Sequence, residues 1–323
     1  MSYRIHQIFI LFILFVSYVY SCQWSPTKCG CSRTPPATHH RIVGGTAAIP
    51  HSWPWIVSVQ FSGSHMCGSA LISEQYVLSA AHCFEKYNPK YYLSSYSFAM
   101  GHNGIFEKYL VLKAKRIVLH TSYDINGRVI NDIALIELEK NVNFTDHRLG
   151  FICLPVAHAN DGEKYPSIGT MTWVAGWGAT KFEGPSPTVL LQVPVPITNN
   201  QGCKSSVTLP AKQVCAGYDE GKLDSCSGDS GGPLMLDKGN GIFELVGIVS
   251  FGHRCAVAMR PGIYTRVSGY IDWIDHLVKT TNPDLLNNAV IKPEAIANSN
   301  QIDKNFSYFL IFVLEILCLI FNQ

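Results

Sequence analysis

The stretch SCSGDSGGPL, Ser225–Leu234, places a single serine, Ser230, between an aspartate and two glycines. Glycine and aspartate are poor formers of both helices and pleated strands, so this stretch is predicted to be a turn. A serine hydroxyl does not ionise near neutral pH, so Ser230 could act as a nucleophile only beside a base that takes its proton. On its own, the stretch could equally be a tight turn without chemistry.

Two other short stretches offer the partners that such a serine needs. His82 lies in LSAAHC, after a strand-like run and next to Cys83, and Asp132 opens an apolar run in NDIALIEL. A buried carboxylate is unfavourable unless it is paired, and orienting a histidine base is one such pairing. Taken singly, the histidine could be structural and the aspartate a turn residue. Together the three stretches indicate nucleophile, base and orienting acid.

Short β-branched and aromatic runs recur around these stretches, between clusters of Gly, Pro, Asn and Ser. The runs are WIVSVQF from Trp55, ALIS from Ala70, YVLSA from Tyr76, RIVLH from Arg116, IALIEL from Ile133, MTWVAGW from Met171, LVGIVSF from Leu245 and GIYTRV from Gly262. Such spacing predicts an all-β barrel or sandwich, and residues 42–279 suit two barrels better than one. In Tyr270–Val278, apolar residues at helical spacing predict one helix near the end of this unit.

The order His82, Asp132, Ser230 along the chain is the order of the chymotrypsin arrangement. From Ile42 to Val278 the chain resembles the trypsin-like serine proteases of the chymotrypsin family. The motifs that carry the resemblance are RIVGG at Arg41, LSAAHC at Leu78, NDIAL at Asn131, GWG at Gly176, DSCSGDSGGPL at Asp224 and SFG at Ser250. The resemblance implies two six-stranded antiparallel β-barrels with a C-terminal helix, and catalytic residues in the cleft between the barrels.

The resemblance also implies a role for each of these residues. Ser230 would attack the scissile carbonyl, His82 would take its proton and return it to the leaving amine, and Asp132 would hold the imidazole in the productive tautomer. The amides of Gly228 and Ser230 would stabilise the developing oxyanion. The chain would then be a serine endopeptidase that needs no cofactor.

Substrate preference is implied by the position of Asp224, six residues before Ser230. Family members that cut after Arg or Lys carry an acid there, at the base of the primary pocket. The resemblance assigns further residues to this pocket, namely Ser225, Ser250, Gly252 and Gly262. The expected partners are therefore proteins or peptides with Arg or Lys at the cleavage site, together with protein protease inhibitors.

The motif RIVGG implies synthesis as a zymogen. In the family, the chain is cut in this motif, here between Arg41 and Ile42. The new α-amino group of Ile42 would turn inward and pair with Asp229, which explains a carboxylate next to the nucleophile. Residues 22–41 would then be a pro-segment and residues 42–279 the protease domain.

Eleven cysteines suit an oxidising compartment. The resemblance implies the disulfides Cys67–Cys83, Cys203–Cys215 and Cys226–Cys255, and it makes Cys153 the residue that tethers the pro-segment. Cys29 and Cys31 are too close to pair comfortably, so we expect Cys22 to bond one of them and Cys153 the other.

Both ends of the chain carry targeting features. Residues 1–21 combine Arg4 with the apolar run Ile8–Val16 and read as a signal peptide, with an uncleaved signal anchor as the alternative. The chain would then enter the secretory pathway, where the sequons at Asn143 and Asn305 could be glycosylated.

After a stalk at residues 280–305, the hydrophobic tail at residues 306–323 follows small residues and a short polar spacer. These are the elements of a GPI-anchor signal, while a single-pass helix and a secreted form with a trimmed tail stay open. We therefore expect an extracellular protein, tethered to the cell surface.

Charge and loop composition exclude two further classes of partner, nucleic acid and metal ions. The formal charge is +2, from 25 basic and 23 acidic residues, without the Lys/Arg run that nucleic-acid binding would need. The segment GHNGIFEK at Gly101 is shorter and less acidic than the family's calcium loop, so no metal is expected. Two other functions stay open: a catalytically inactive protease-fold binding protein, and a disulfide-rich adhesion module on a membrane stalk. If the chain were such an adhesion module, its function would not depend on Ser230.

Overall fold

The computed structural model describes residues 22, 24–37, 45–107, 109–124, 129–157, 165–179, 184–221, 228–239, 241–252 and 257–280. All of them belong to one of the chain's two structural units, Met1–Ala289. The named strands pair antiparallel throughout the two sheets.

The first sheet is built from the part of the chain between Ile56 and Leu138. Its strands are β2 (Ile56–Phe61), β3 (Ser64–Leu71), β4 (Tyr76–Ser79), β5 (Tyr96–Met100), β6 (Leu110–Leu112), β7 (Ala114–Leu119) and β8 (Ala134–Leu138). They follow the order β6-β5-β2-β3-β4-β8-β7. Only Lys113 separates the two edge strands, β6 and β7, along the chain. The sheet is therefore curled, with its two ends formed by one interrupted strand.

The second sheet closes into a barrel. Its strands are β1 (Thr46–Ala47), β9 (Met171–Gly176), β10 (Leu191–Thr198), β11 (Gln213–Ala216), β12 (Pro233–Asp237), β13 (Phe243–Phe251) and β14 (Gly262–Arg266). The order is β1-β10-β11-β14-β13-β12-β9, and β9 also pairs with β10. Six strands thus form a closed ring, and β1 adds to its outside through Gln192 and Leu191. The predicted chymotrypsin-like barrel architecture is confirmed.

Several strands of the two sheets are well covered, and irregular pairing explains how the sheets curve. Strands β4, β5, β8 and β11 are buried at every residue, so both faces of each of these strands are covered. Pairing shifts by a residue at β-bulges between Val59 and Gln60, between Leu234 and Met235, and between Val249 and Phe251. A bulge bends a strand and increases its twist, which a curled sheet or a barrel needs.

Large aromatic residues fill the space where the two sheets meet. The Trp53 and Phe243 rings lie 4.8 Å apart, edge to face. The Trp55 indole Nε1 lies 3.1 Å from the Met235 sulfur on β12. Because Trp53 and Trp55 immediately precede β2 while Phe243 begins β13, these contacts fix one sheet against the other.

The structure contains four disulfides among its described residues. Cys67–Cys83 and Cys203–Cys215 match the pairs that the resemblance implied. The predicted pro-segment is bonded as Cys22–Cys31 and Cys29–Cys153, one of the two arrangements expected. The predicted pair Cys226–Cys255 lies outside the described residues.

The remaining regular structure is sparse. Among the described residues, the helices are Pro89–Tyr92, Gln201–Ser206 and Ile271–Lys279, with 3₁₀ turns at Ala81–Phe84, Leu93–Ser95 and Val267–Tyr270. The C-terminal helix buries Ile271, Ile274 and Val278, as its apolar spacing predicted. Within the described part of the chain, no helix is long and apolar enough to cross a membrane. The predicted signal peptide and tail lie outside that part, as does the predicted stalk after Thr280.

Candidate active site

His82 is held in place by the turn that follows β4. It lies in the 3₁₀ turn Ala81–Phe84, whose other residues are all buried. The neighbouring Cys83 is bonded to Cys67 on β3, which fixes the turn to the sheet. The His82 side chain keeps 23% of its surface exposed. The sequence LSAAHC therefore places one partly accessible imidazole on a rigid base.

Asp132 lies just ahead of β8 and is 1% exposed. Its Oδ1 accepts a hydrogen bond from the backbone N–H of His82 at 2.9 Å. Its Oδ2 lies 2.8 Å from His82 Nδ1 and accepts from the Ser250 hydroxyl at 2.5 Å. Since a carboxylate only accepts, the proton is on Nδ1, and Nε2 of neutral His82 carries the free electron pair. This is the tautomer that a general base requires.

The pair shifts the pKa of both groups in opposite directions. Burial disfavours protonated His82, but the hydrogen bond to Asp132 and the charges of Asp132 and Glu85 outweigh burial, so the pKa of His82 is raised above 6.5. Burial also disfavours ionised Asp132, but hydrogen bonds from His82 and Ser250 outweigh it, so the pKa of Asp132 lies below 3.8. Asp132 is therefore an anion that favours positive charge on His82.

Ser230 lies in a turn that packs against the same disulfide. Its carbonyl oxygen accepts from the Gly68 N–H at 2.8 Å. The Cys83 sulfur lies 3.7 Å from that carbonyl oxygen and 3.8 Å from His82 Nε2. The histidine ring and the backbone of the proposed nucleophile thus contact one sulfur atom. The structure brings the three predicted catalytic residues to one place.

Gly228, predicted to contribute to the oxyanion hole, has a φ angle of +101°. Glycine adopts this left-handed region without the steric penalty of other residues. The Gly228 carbonyl lies 3.1 Å from His65 Nε2, and His65 Nδ1 lies 2.8 Å from the Ser58 hydroxyl. Because the carbonyl only accepts, Nε2–H is the donor. Burial, as the largest cause, lowers the pKa of His65 and favours this neutral form.

Asp229 occupies a space made by the motif GWG. Its Oδ1 accepts from the Gly178 N–H at 2.8 Å. A Cβ atom added to either Gly176 or Gly178 would collide with the Asp229 carboxylate. The two glycines of GWG are therefore small because a carboxylate lies against them. Trp177 between them donates from Nε1 to the Asn103 carbonyl at 2.9 Å.

Several residues that support the site were not predicted from the sequence. Thr265 on β14 donates its hydroxyl to the Asp132 carbonyl at 2.7 Å. Tyr270 donates to Asn131 Oδ1 at 3.0 Å, directly beside Asp132. His65 is a third such residue. No local motif marks them, because their contacts are with residues remote in the chain.

The predicted primary pocket is described only in part. Phe251 on β13 pairs with Ile263 on β14, so Gly252 and Gly262 lie at adjacent ends of the two strands. Gly262 is buried, and Gly252 is exposed. Ser250 contacts Asp132 as above, which links this wall to the proposed catalytic pair. Asp224 and Ser225 lie outside the described residues, as do Arg41 and Ile42 at the proposed activation site.

Two further predictions concern the surface. Asn143 is exposed, and its Oδ1 accepts from the Thr145 N–H at 3.0 Å. In the predicted metal-free loop, the Glu107 carboxylate accepts from the backbone N–H groups of Asn103 and Gly104 at 3.2 and 3.0 Å. Among described residues, the one group with metal-ligand spacing is Cys67, His82 and Cys83, and its two cysteines form a disulfide.

Comparison with known proteins agrees with this geometry. The sequence model of the trypsin family matches residues 42–274. Among curated proteins, coagulation factor XI of Bos taurus is 38% identical over 249 residues, which cover 75% of this chain and 38% of that protein. The chain thus spans well under half the length of this relative. The matched region contains both sheets and the proposed catalytic residues, and the chain belongs to the trypsin family of serine proteases.

Proposed function

We propose that this chain is a secreted or cell-surface serine endopeptidase that cleaves after Arg or Lys and is activated by a cut after Arg41. The observation that supports it best is the buried pair of Asp132 and His82 Nδ1, 2.8 Å apart, beside the Ser230 turn. Asp132 is fixed by three donated hydrogen bonds, so the imidazole it orients has one position and one tautomer.

The proposed reaction proceeds through an acyl-enzyme. His82 Nε2 takes the Ser230 hydroxyl proton while Oγ attacks the scissile carbonyl, and a tetrahedral oxyanion forms. The imidazolium, stabilised by Asp132, then gives this proton to the amine as the C–N bond breaks. Water repeats the sequence: His82 takes a proton from water, hydroxide adds to the acyl carbon, and Ser230 leaves with the proton.

The oxyanion would be bound by the backbone N–H groups of Gly228 and Ser230. Each such donor is worth about 3 kcal/mol of transition-state stabilisation. The hydrogen bond from His65 to the Gly228 carbonyl supports this assignment, because it restrains the peptide that lies between the two proposed donors. Restraint before the reaction is what makes such donors effective.

The preference for Arg and Lys is proposed from Asp224, the acid six residues before Ser230. A guanidinium or ammonium in a confined pocket pairs with a carboxylate through charge-assisted hydrogen bonds. The small residues Gly252 and Gly262 would leave room for a long side chain. Protein protease inhibitors that present Arg or Lys are further expected partners.

Activation would couple the cut after Arg41 to the site. The released α-amino group of Ile42 would pair with Asp229, whose carboxylate lies against the GWG glycines. An oxidising compartment fits the four disulfides. Signal peptide, stalk and membrane attachment through the tail complete the proposal, with the GPI anchor first among the possible attachments.

The test is a hydrolysis assay on the activated ectodomain, residues 22–305, with Arg, Lys and Phe peptide substrates. We expect Ser230-dependent cleavage of the Arg and Lys substrates and little cleavage of the Phe substrate. Ser230→Ala is the control, because it removes only one hydroxyl. Absence of hydrolysis in the activated parent would favour the inactive binding protein, and cleavage of Phe alone would overturn the role of Asp224.

A further inference from the structure

One buried glutamine connects the two flanks of the proposed activation site. Gln192 on β10 is 2% exposed. Its Oε1 accepts from the Trp53 indole N–H at 2.8 Å, and its Nε2 donates to the Ala37 carbonyl at 3.0 Å. An indole nitrogen only donates, so the orientation of the carboxamide is fixed and its NH₂ group must face Ala37.

The backbone of the same residue holds the chain on the other side. Thr46 of β1 pairs with Gln192, and Ala47 pairs with Leu191. The Ala48 N–H donates to the Leu190 carbonyl at 2.9 Å, which continues this contact. Gly45 also lies against the Gln192 carbonyl oxygen.

These contacts bracket the cut that the proposed function requires. Ala37 lies four residues before Arg41, and Thr46 lies four residues after Ile42. Gln192 therefore binds the pro-segment with its side chain and the protease domain's first strand with its backbone. The covalent anchor of the pro-segment, Cys29–Cys153, is eight residues further back from Ala37 and does not fix that flank.

We propose that Gln192 is a positioning residue for activation, which restrains the flank at Ala37 and so limits the rate at which an activating protease cuts after Arg41. This inference rests on the proposed function. A protease needs its substrate segment to be locally free, so cleavage within a restrained segment follows the population in which the restraint is open. One hydrogen bond of ordinary strength changes that population about fivefold.

The experiment follows cleavage of the zymogen by added trypsin in a Ser230→Ala background, which excludes self-cleavage. Gln192→Glu keeps an acceptor for Trp53 but replaces the donor to Ala37 with an oxygen. Trp53→Phe is the matched control, because it breaks the other half of the bridge and leaves the bond to Ala37. Trp53→Phe/Gln192→Met removes both halves without leaving a buried N–H unpaired, and it serves if Gln192→Glu does not fold.

We expect cleavage after Arg41, followed by N-terminal sequencing of IVGG, to be about fivefold faster in Gln192→Glu and in the double variant than in the parent. Trp53→Phe should match the parent. Hydrogen exchange of residues 32–37 should rise in the same two variants, whether or not cleavage occurs.

Two results would overturn the inference. Equal or slower cleavage in both Gln192 variants, with unchanged hydrogen exchange at residues 32–37, would overturn this inference and leave the proposed activation route standing. Absence of any cut after Arg41 in every protein, the parent included, would overturn the proposed activation route and this inference with it.

Discussion

At the scale of single residues, the site depends on a carboxylate kept ionised in a buried place. Burial alone would raise the pKa of Asp132, yet hydrogen bonds from His82 and Ser250 lower it. A buried charge without such partners would be strongly destabilising. The hydroxyl of Ser250 and the two N–H groups of His82 therefore allow Asp132 to remain an anion, and that anion sets the protonation of His82.

The raised pKa of His82 predicts the acid limb of the pH profile. A general base must be neutral, so activity should be lost as the pH falls through the pKa of His82 in the folded enzyme. Because Asp132 and Glu85 raise that pKa above 6.5, the midpoint of the limb should lie above 6.5. The measurement is kcat/KM of the activated enzyme against pH, with a short Arg substrate.

The control for this profile is the stability of the activated enzyme over the same pH range, followed by circular dichroism. If the midpoint of kcat/KM lay below 6.5 while the fold was intact, burial would dominate over Asp132, and the pairing described here would be the wrong account.

At the scale of elements, two motifs remote in sequence explain each other. GWG ends β9, and the aspartate of GDSGG lies against it, with Gly178 donating to Asp229. Read alone, GDSGG predicted a turn, and GWG was only one of the motifs that carry the resemblance. Only their contact shows that the glycines at 176 and 178 make room for a carboxylate.

Gly178→Ala is therefore expected to reduce activity without preventing activation cleavage. The new methyl group would collide with the Asp229 carboxylate and displace the turn that carries Ser230. We expect kcat/KM to fall by about tenfold or more, which corresponds to about 1.4 kcal/mol of transition-state stabilisation. Gly150→Ala is the matched control, because a Cβ there would meet only the Pro54 ring, at 3.1 Å. Equal activity of the two variants would contradict the contact as the reason for the glycine.

The sequence predicted most strands and missed those whose signals are weak or mixed. All eight apolar runs overlap observed strands, but β10 was missed because it contains Pro194 and Pro196. Proline normally argues against a central strand. Here both prolines lie in the part of β10 that pairs with β9 but not with β1 or β11. Their missing N–H groups therefore cost no hydrogen bond on the edge of β10 that faces away from β9.

The candidate site could be predicted as far as local motifs reach. His82, Asp132 and Ser230 each lie in a recognisable stretch, and their order along the chain carried the assignment. His65, Thr265 and Gln192 were missed because they act through contacts with residues far away in the chain. The hydrogen bond between Ser58 and His65 illustrates why such contacts are missed, because nothing in the sequence IVSVQF marks its serine as the partner of a histidine.

At the scale of the whole molecule, the described part of the proposed pro-segment is an integral part of the fold. The Gly30 N–H donates to the Phe151 carbonyl at 2.7 Å, and its own carbonyl accepts from Phe243 at 2.8 Å. Cys31 forms a bridge to Ile242. Of the two disulfides here, Cys22–Cys31 closes a loop within the pro-segment, and only Cys29–Cys153 crosses to the protease domain.

This difference predicts how the activated enzyme is held together. After a cut following Arg41, the parent should remain one covalent species on a non-reducing denaturing gel. Cys29→Ser/Cys153→Ser should separate into two chains, because the hydrogen bonds of Gly30 do not survive denaturant. Cys22→Ser/Cys31→Ser is the matched control, since it also removes one disulfide of the pro-segment but keeps the link across the cut. Before cleavage, loss of Cys29–Cys153, which spans 124 residues, should lower the free energy of unfolding by roughly 5 kcal/mol. Release of the pro-segment from the control, or its retention in Cys29→Ser/Cys153→Ser, would show that another covalent link joins the two parts.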